Sequence, residues 1–589
     1  MSGQRSGTRP QGGTRPRGGT GARAGGWAIG LLAAAVLTAT APAARAQPAT
    51  AAEQDTAAKQ QTLPPLALPD IVIFGRSSAT VRDGSKLFAS DKRTVLDREI
   101  GAPVGEKIES RTGWGGGRTL AAQERVLTGR QARAWLRGGS HTAFIGGLEY
   151  WRDLGRWRFI ARAGGDGTAG PIDNSGSSSG FGELVFERSL SSVSQVRFGG
   201  GFTSGRQEEW GTGVPLQGIP RAPLGAERTF SDGHYEVAGE FRLRRGLTLA
   251  LGAGGRHTGL RDRSRIGGTD LRPHSDGGWA DLAFDWVTDR TVLELDARLE
   301  GDRMRGVTPD VTSRLAQASL TLQARVGEAS SGLLGVGVYR MDSALGRVTR
   351  VWPRAKFTAH YSERFGMFIR YRPRFDYLTL GDARVVNPFV ANTFQVTPRE
   401  ERFNLAVGLT WILAPRLTLQ FEVARRQYDR LPLWRLAPNT DFQSEGLFIL
   451  DGIVDVAVNE TRLDLAGSPW EGFDLETGVI LRQPGGGGIA VLSHIPETEF
   501  RARITADGPW GLIFGSDLTW LGERFGDTAG TGDRRLAPAA DLGFRVARTF
   551  AGSLTAWLEL RNVFDSEIVL WESYARPGRT TAIGFSYAF

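Results

Sequence analysis

Arginine recurs at alternate positions in two segments, and these arginines are the residues best placed to do chemistry. The first series is Arg156, Arg158 and Arg162, and the second is Arg370, Arg372 and Arg374. Alternate residues of a β-strand point to the same side, so each series would present guanidinium groups on one face. Inside a pore, such a face attracts anions and polar solutes. The other interpretation is that the arginines form ion pairs across the wall of a large sheet. The acidic residues available for such pairs are Glu294, Asp296, Glu300 and Asp376.

Motifs associated with catalysis or cofactors lack the context they require. GDGTAG at 165–170 matches the glycine pattern of a dinucleotide site, but a second Gly/Ser-rich stretch follows it instead of a helix, so we interpret it as a loop. The six histidines are scattered, and the chain has no cysteine, which excludes thiol nucleophiles, disulfides and cysteine zinc sites. The sequence therefore predicts no enzyme, no cofactor and no metal site, although the fold could still bring distant ligands together.

Length and composition describe a large folded chain with balanced charge. The 589 residues are 40% hydrophobic and 9% aromatic, which excludes wholesale disorder. The net charge of +9 suggests nucleic-acid binding, but residues 1–46 hold six arginines and no acid. Without them, 66 basic side chains face 63 acidic ones, a charge of +3. We therefore predict no nucleic-acid partner.

Residues 1–46 have the pattern of a cleaved export signal. Five arginines precede an apolar run that begins at Trp27 and leads to Ala44-Arg45-Ala46, which predicts cleavage after Ala46. The alternative, one anchoring helix, fits less well because the run is shorter than the roughly 20 residues that a bilayer core requires. Residues 47–134 are interpreted as a flexible linker and a short plug-like or periplasmic extension.

From about Trp135 to the end, apolar and polar residues alternate. In 316–326 the apolar residues share one parity and the polar residues the other. Such runs are joined in pairs by short turns, as at 152–156, and separated by longer polar segments, as at 380–399. This rhythm is typical of transmembrane barrels. A soluble sandwich also alternates, but it would have to pack roughly 20 such strands into one core, far above the usual sheet size.

The predicted fold is therefore all-β, a large transmembrane antiparallel barrel of about 22 strands, within a range of about 20 to 22, over residues 135–589. One predicted strand covers 367–377, with Ile369, Tyr371, Phe375 and Tyr377 on its apolar face. Trp151, Trp157, Trp520 and Trp571 suit aromatic girdles at the membrane interface, and core or loop packing is the alternative for each.

The C-terminal segment 581–589 is a short amphipathic strand that ends on an aromatic residue. Its apolar face consists of Ile583, Phe585, Tyr587 and Phe589. This pattern resembles the signal that the outer-membrane barrel assembly machinery reads. The alternative is an ordinary last strand that happens to end in phenylalanine.

Three motifs near the C-terminus resemble the closing strands of TonB-dependent receptors. They are ELRNVFD at 559–565, PGRT at 577–580 and GFSYAF at 584–589. LPDIVIFGR at 68–76 is a weaker match to the start of the plug domain of that family. Because the interval 47–134 is too short for a complete plug, the chain resembles a receptor barrel with a truncated or absent plug.

The resemblance implies a protein of the bacterial outer membrane that mediates passage or uptake of a solute, either through a pore or by binding at the outer loops. Inward-folded loops, residues 77–133 or a partner protein would then narrow the lumen. The implied partners are outer-membrane lipid, the barrel assembly machinery, and TonB or a separate plug or periplasmic protein.

The alternative is a structural or assembly barrel that anchors a periplasmic or surface partner. In that case a short β-prone run would add a strand to the edge of the partner's sheet. The residues of this run are Asp70, Ile71, Val72, Ile73 and Phe74.

Overall fold

The alternating region of the sequence forms β-strands, as its two-residue period dictates. The computed structural model describes residues 132–589 except 142, 171–175, 192–193, 210–225, 245, 264–269, 289–290, 307–309, 327–328, 345, 392–395, 397, 437–447, 486–491, 527–534 and 572–573. The predicted signal peptide, linker and extension, with the candidate partner strand at 70–74, lie outside the described residues, except that residues 132–134 of the predicted extension belong to the first strand.

Twenty-two wall strands follow one another along the chain, one of them in two segments. Their bounds are β1 Ala132–Gly139, β2 Phe144–Leu154, β3 Trp157–Thr168, β4 Ser177–Ser191, β5 Ser194–Glu209, β6 Ala226–Arg244, β7 Leu247–Arg263, β8 His274–Val287, β9 Thr291–Arg305, β10 Val311–Arg325, β11 Ser330–Ser343, β12 Gly346–Ser362, β13 Phe365–Tyr371 with Arg374–Tyr377, β14 Pro398–Ala414, β15 Leu417–Leu436, β16 Phe448–Trp470, β17 Phe473–Gly485, β18 Thr498–Asp507, β19 Leu512–Leu521, β20 Ala539–Phe550, β21 Leu554–Arg561 and β22 Thr580–Ala588.

The connections between wall strands contain a few short elements. These are the strands Asp270–Leu271, Arg524–Phe525, Arg535–Leu536, Val569–Trp571 and Tyr574–Ala575, the helix α1 Leu380–Val386 and the 3₁₀ turn Pro509–Gly511. Within the described ranges, no helix has both the length and the apolar character needed to cross a membrane.

The wall strands close into a ring. Each pairs antiparallel with the next, and β1 pairs with β22 in a register that places Leu136 opposite Phe585. Two backbone hydrogen bonds of 2.9 Å between Ala132 and Phe589 complete the seam. Closure leaves the wall without the free edge that would invite aggregation. The predicted antiparallel barrel of about 22 strands is confirmed.

The outer face of the wall is apolar and the inner face is polar. In β10, Leu320 and Leu322 are 44% and 48% exposed, whereas Ser319 and Thr321, which alternate with them, are buried. Exposed apolar side chains recur at one parity around the wall. A continuous outer surface of this kind is stable in lipid and unfavourable in water.

The two rims of the barrel differ. Short turns at 155–156, 363–364 and 415–416 lie at one rim, and the strand ends that flank the long connections lie at the other, namely Tyr377 and Pro398, Leu436 and Phe448, and Arg561 and Thr580. In transmembrane barrels the short turns face the periplasm and the long loops face outward. We call the rim with the long connections the outer mouth.

The segment 367–377 is not the single strand that the alternation predicts. It breaks at Arg372 and Pro373, and the pairing with β14 shifts by one residue across the break. Proline lacks the N–H that a continuous ladder requires. Beyond the break, Phe375 is 3% exposed and packs toward Tyr339, with ring centroids 6.4 Å apart. The prediction that Phe375 and Tyr377 extend the apolar outer face is therefore wrong.

A hydrophobic core lies inside the wall at the outer mouth. It joins inward side chains of the wall to side chains of the long connections. Wall contributors include Leu260, Met304 and Met341, and loop contributors include Leu380, Phe389 and Trp571. The prediction of a polar segment at 380–399 is thus wrong for its first half, which supplies buried apolar residues and the helix α1.

Candidate functional site

The inner face of the wall carries ion pairs that run across neighbouring strands. On β3, Arg162 Nε donates to Glu149 at 2.7 Å and its Nη1 donates to Glu183 at 3.1 Å. Arg133 donates to the other oxygen of Glu149 at 3.1 Å. A chain of charge-assisted hydrogen bonds therefore joins β1, β2, β3 and β4 around the lumen.

A second network stands on another part of the wall, from β15 to β18. Arg426 donates to Glu460 at 3.0 Å, and Arg482 lies 3.4 Å from the other oxygen of Glu460. Arg482 also donates to Glu499 at 3.2 Å. All four side chains are buried, so the wall itself and not bulk water satisfies these charges.

The six arginines of the two alternating series occupy different environments. Arg158, like Arg162, lies on the parity opposite the exposed Trp157 and pairs with Asp153 at 2.9 Å. Arg156 lies in the turn between β2 and β3. Arg370 pairs with Glu422 at 3.0 Å.

The remaining two arginines of the second series lie at the break in β13. Arg372 is exposed, and its backbone N–H donates to Asn404 at 3.0 Å. Arg374 begins the second segment of β13, opposite Glu401. The series therefore does not form one continuous ladder, because the strand that would present it is interrupted.

The connection between β13 and β14 lies against the inner wall. Helix α1 in this connection contacts β7 and β8. A capping box begins the helix, in which the amide of Asp382 donates to the Thr379 hydroxyl at 3.3 Å and the amide of Thr379 donates to the Asp382 carboxylate at 3.2 Å. Residues 378–391 are called the inward loop below.

Three arginines bind the inward loop to the wall. Arg228 on β6 donates to the Pro388 carbonyl at 2.8 Å, and Arg256 on β7 lies 3.9 Å from the carboxylate of Asp382. Arg384 on α1 forms an ion pair with Asp232 and stacks over the Phe230 ring at 4.0 Å. Charged contacts therefore add to the apolar packing of Leu380 and Phe389 in holding the loop.

The far end of the inward loop is bonded to the start of β16. The amide of Ala391 donates to the Phe448 carbonyl at 2.7 Å, and the amide of Phe448 donates to the Phe389 carbonyl at 2.9 Å. The loop thus leaves the wall at β13, contacts the inner face of β6 to β8 and reaches β16. The sequence suggests that inward-folded loops, residues 77–133 or a partner protein would narrow the lumen. An inward-folded loop is present in the described part of the chain.

Aromatic rings pack beside the far end of the inward loop. Phe448, Trp434 and Trp571 form edge or tilted contacts with centroids 5.4 to 5.6 Å apart. His494 joins them, 5.3 Å from Phe448 and 5.1 Å from Trp571. Trp571 is 1% exposed, so the interpretation as core packing is confirmed for this tryptophan and the girdle interpretation is wrong.

Sequence reasoning missed the inward loop and the residues that hold it. The Thr379 to Asp382 spacing is a helix start signal and could have revealed α1. The arginines on β6 and β7 belong to different strands and carry no local motif, so no pattern along the chain links them to the loop.

Searches with the sequence find no matching protein-family model and no matching curated protein. Comparison of the structure finds similar solved barrels. The FrpB iron transporter from Neisseria meningitidis has a TM-score of 0.62 at 11% identity, over 79% of this chain and 83% of that chain.

Two further receptors have the same architecture. BauA, the ferric preacinetobactin receptor from Acinetobacter baumannii, has a TM-score of 0.60 at 13% identity over 78% of this chain and 80% of that chain. The ferric-catecholate import receptor Fiu from Escherichia coli K12 has a TM-score of 0.59 at 12% identity over 78% and 82%. The predicted likeness in fold to TonB-dependent receptor barrels is confirmed. The closed wall with an apolar exterior is that of a bacterial outer-membrane protein.

Proposed function

We propose that this protein imports a polar solute across the bacterial outer membrane through its lumen, and that the inward loop closes the outer mouth between import events. The three similar barrels are named as an iron transporter, a ferric preacinetobactin receptor and a ferric-catecholate import receptor. We propose the same class of activity here, transport and not catalysis, without assigning the solute.

The observation that carries the proposal is the set of charged contacts between the inward loop and the wall. Arg228, Arg256 and Arg384 and their carboxylate partners can be rehydrated when the loop leaves, which offsets part of the cost of exposing the apolar side chains of the loop, such as Leu380 and Phe389, to water. These charged contacts therefore hold the loop in a defined position and lower the cost of releasing it.

The test uses a cross-link that holds the inward loop on its seat. A Cβ placed at Gly381 lies 3.7 Å from the Cβ of Thr258, close to the roughly 3.8 Å typical of disulfides. The chain has no cysteine of its own, so the pair Gly381→Cys and Thr258→Cys forms the sole bridge. We expect the reduced double variant in a planar bilayer to pass ionic current and the oxidised form to pass much less.

Each single-cysteine variant serves as a control, because oxidation cannot bridge the loop to the wall in either. An equal steady current in the oxidised and reduced double variant would show that the loop does not close the lumen.

An anchoring barrel is the second candidate, and the packed core of the outer mouth favours it. If the barrel only anchors a partner, the lumen should stay closed, so the reduced double variant should not conduct. Nor should Arg384→Gln, which removes the ion pair between the inward loop and Asp232. We then propose that residues 70–74 add to the sheet of a periplasmic partner, so that co-purification of this partner is lost when residues 62–85 are deleted.

A further inference from the structure

A buried arginine at the outer mouth forms no ion pair with any carboxylate of the described residues. Arg524 is 1% exposed, and its Nη2 donates a hydrogen bond of 3.5 Å to the Ala537 carbonyl. Its Nε and Nη1 are buried and have no hydrogen-bond partner in the described part of the chain. The adjacent acid does not compensate it, because Glu523 pairs with Arg535 at 3.2 Å.

A buried histidine lies beside this arginine. The backbone N–H of His494 donates to the Phe525 carbonyl at 2.7 Å, which places residue 494 next to the Arg524–Phe525 strand. His494 is 2% exposed. Neither ring nitrogen makes a hydrogen bond of good geometry among the described residues.

The segment that carries His494 is held in place from the wall. Arg482 donates to the Pro496 carbonyl at 3.1 Å. His494 adopts a left-handed backbone conformation with φ of 59°, which is uncommon for a residue other than glycine. The surrounding structure therefore fixes the imidazole among Phe448, Trp571 and Arg524.

The protonation states of the two groups follow from this burial. Burial lowers the pKa of Arg524 to about 10, so it remains a cation at neutral pH. Burial, and then the charge of Arg524, lower the pKa of His494 to about 3, against a smaller opposing effect of the Leu570 carbonyl. The pair therefore offers one cation and one neutral imidazole, and a buried cation without a counter-charge is costly.

We propose that Arg524 and His494 form a binding site for one anionic oxyacid group, a carboxylate or a phosphate, of a solute that enters from outside. The guanidinium supplies the charge and donates hydrogen bonds to the anion's oxygens. The ring N–H of His494 donates one more. The flanking aromatic rings exclude water, which strengthens both interactions. This inference rests on the proposed transport function and assigns its solutes to the anionic class.

Isothermal titration calorimetry on the full chain in detergent tests the site, with inorganic phosphate and succinate as the probes at constant ionic strength. We expect saturable binding of at least one probe by the wild type, and at least about tenfold weaker binding by Arg524→Gln, since a hydrogen bond to a charged group contributes about that factor or more. Arg535→Gln removes a neighbouring exposed arginine and should bind as the wild type does.

Hydrogen exchange supplies a second measurement that locates the site. The better-bound probe should slow exchange in 492–497 and 522–526 of the wild type and leave Arg524→Gln unchanged. Without any probe, Arg524→Gln should exchange more slowly there than the wild type, because it removes an unpaired buried charge. Absence of saturable binding of both probes to the wild type, or equal affinity in Arg524→Gln, would overturn the inference.

The outcome separates this inference from the proposed function. If the cross-link blocks current while neither anion binds, only the anion site is refuted. If an anion binds in an Arg524-dependent way but the cross-link has no effect on current, closure by the inward loop is refuted and the site remains.

Discussion

At the residue scale, one buried arginine of the wall, Arg228, is oriented by an ion pair and binds the inward loop. Arg228 forms two hydrogen bonds to the Asp262 carboxylate, at 2.7 and 2.8 Å, and a third to the Pro388 carbonyl. Arg228 is 1% exposed. The two-pronged geometry orients the guanidinium so that its remaining N–H points at the loop. One arginine therefore couples β6, β7 and the connection after β13.

Replacing this arginine should release the loop without unfolding the barrel. In Arg228→Met the Asp262 carboxylate is left buried without its partner, which costs about 3–5 kcal/mol of local stability. We expect faster hydrogen exchange in residues 380–391 and a larger bilayer current.

The control is Arg347→Met, which removes an exposed arginine paired with Asp342 at 2.9 Å. It should leave both the exchange rates and the current unchanged. Unaltered exchange at 380–391 in Arg228→Met would contradict the role assigned to the pair.

At the scale of the strand, the two faces of the wall have opposite requirements. In β9, Leu299 is 61% exposed on the outer face. Its neighbour Arg298 faces inward and donates to Asp281 and Glu300, each at 3.0 Å. Lipid favours the apolar Leu299 on the outer face, and the ion-pair network favours the charged Arg298 on the inner face. Each strand therefore has one permitted orientation in the wall.

A charge on the outer face of β9 should therefore destabilise the barrel. Leu299→Arg places a guanidinium in the lipid and should cost about 2–4 kcal/mol if the residue lies near the bilayer midplane. Urea unfolding in phospholipid vesicles, followed by the gel shift of the folded barrel, measures this loss. Gln317→Glu places an opposite charge on the inward face of β10, directly opposite Arg298, and as the matched control it should unfold close to the wild type.

At the scale of the whole molecule, the fold depends on joining the first and last strands. β1 and β22 are separated by the entire wall in sequence and pair over seven residues, from Arg133 with Ala588 to Gly139 with Ala582. No local contact can bring these ends together, so the last strand has to be recognised and placed while the barrel closes. We propose that Ile583, Phe585, Tyr587 and Phe589 serve as this recognition signal.

Phe589→Gly tests the assembly signal, since it removes the terminal ring and keeps the backbone that bonds to Ala132. We expect a severalfold drop in heat-modifiable barrel in the outer-membrane fraction, with precursor accumulating in the periplasm. Phe550→Gly removes another outward ring, 42% exposed, and should assemble normally. If both variants assemble normally, Phe589 is an ordinary last residue and not part of an assembly signal.

The sequence predicted the features that depend on neighbours along the chain. The parity of 316–326, the short turn within 152–156 and the closing strand at 580–588 are local patterns, because they depend only on whether neighbouring side chains face lipid or water. It was wrong at 373–391, where a proline breaks the strand and a segment interpreted as a polar loop enters the lumen. Local polarity could not reveal that entry, because the arginines that receive the loop, Arg228 and Arg256, lie on strands more than a hundred positions away.

By itself, the sequence determined an antiparallel barrel with an apolar exterior, because alternation assigns each residue to lipid or lumen without reference to distant residues. Only the tertiary structure decided which charges meet inside. Arg228 meets Pro388 across 160 positions, and Arg524 lies beside His494 with two guanidinium nitrogens that have no hydrogen-bond partner among the described residues. Such pairings depend on strand order and register around a closed ring, and their energy depends on burial that exists only once the ring has closed.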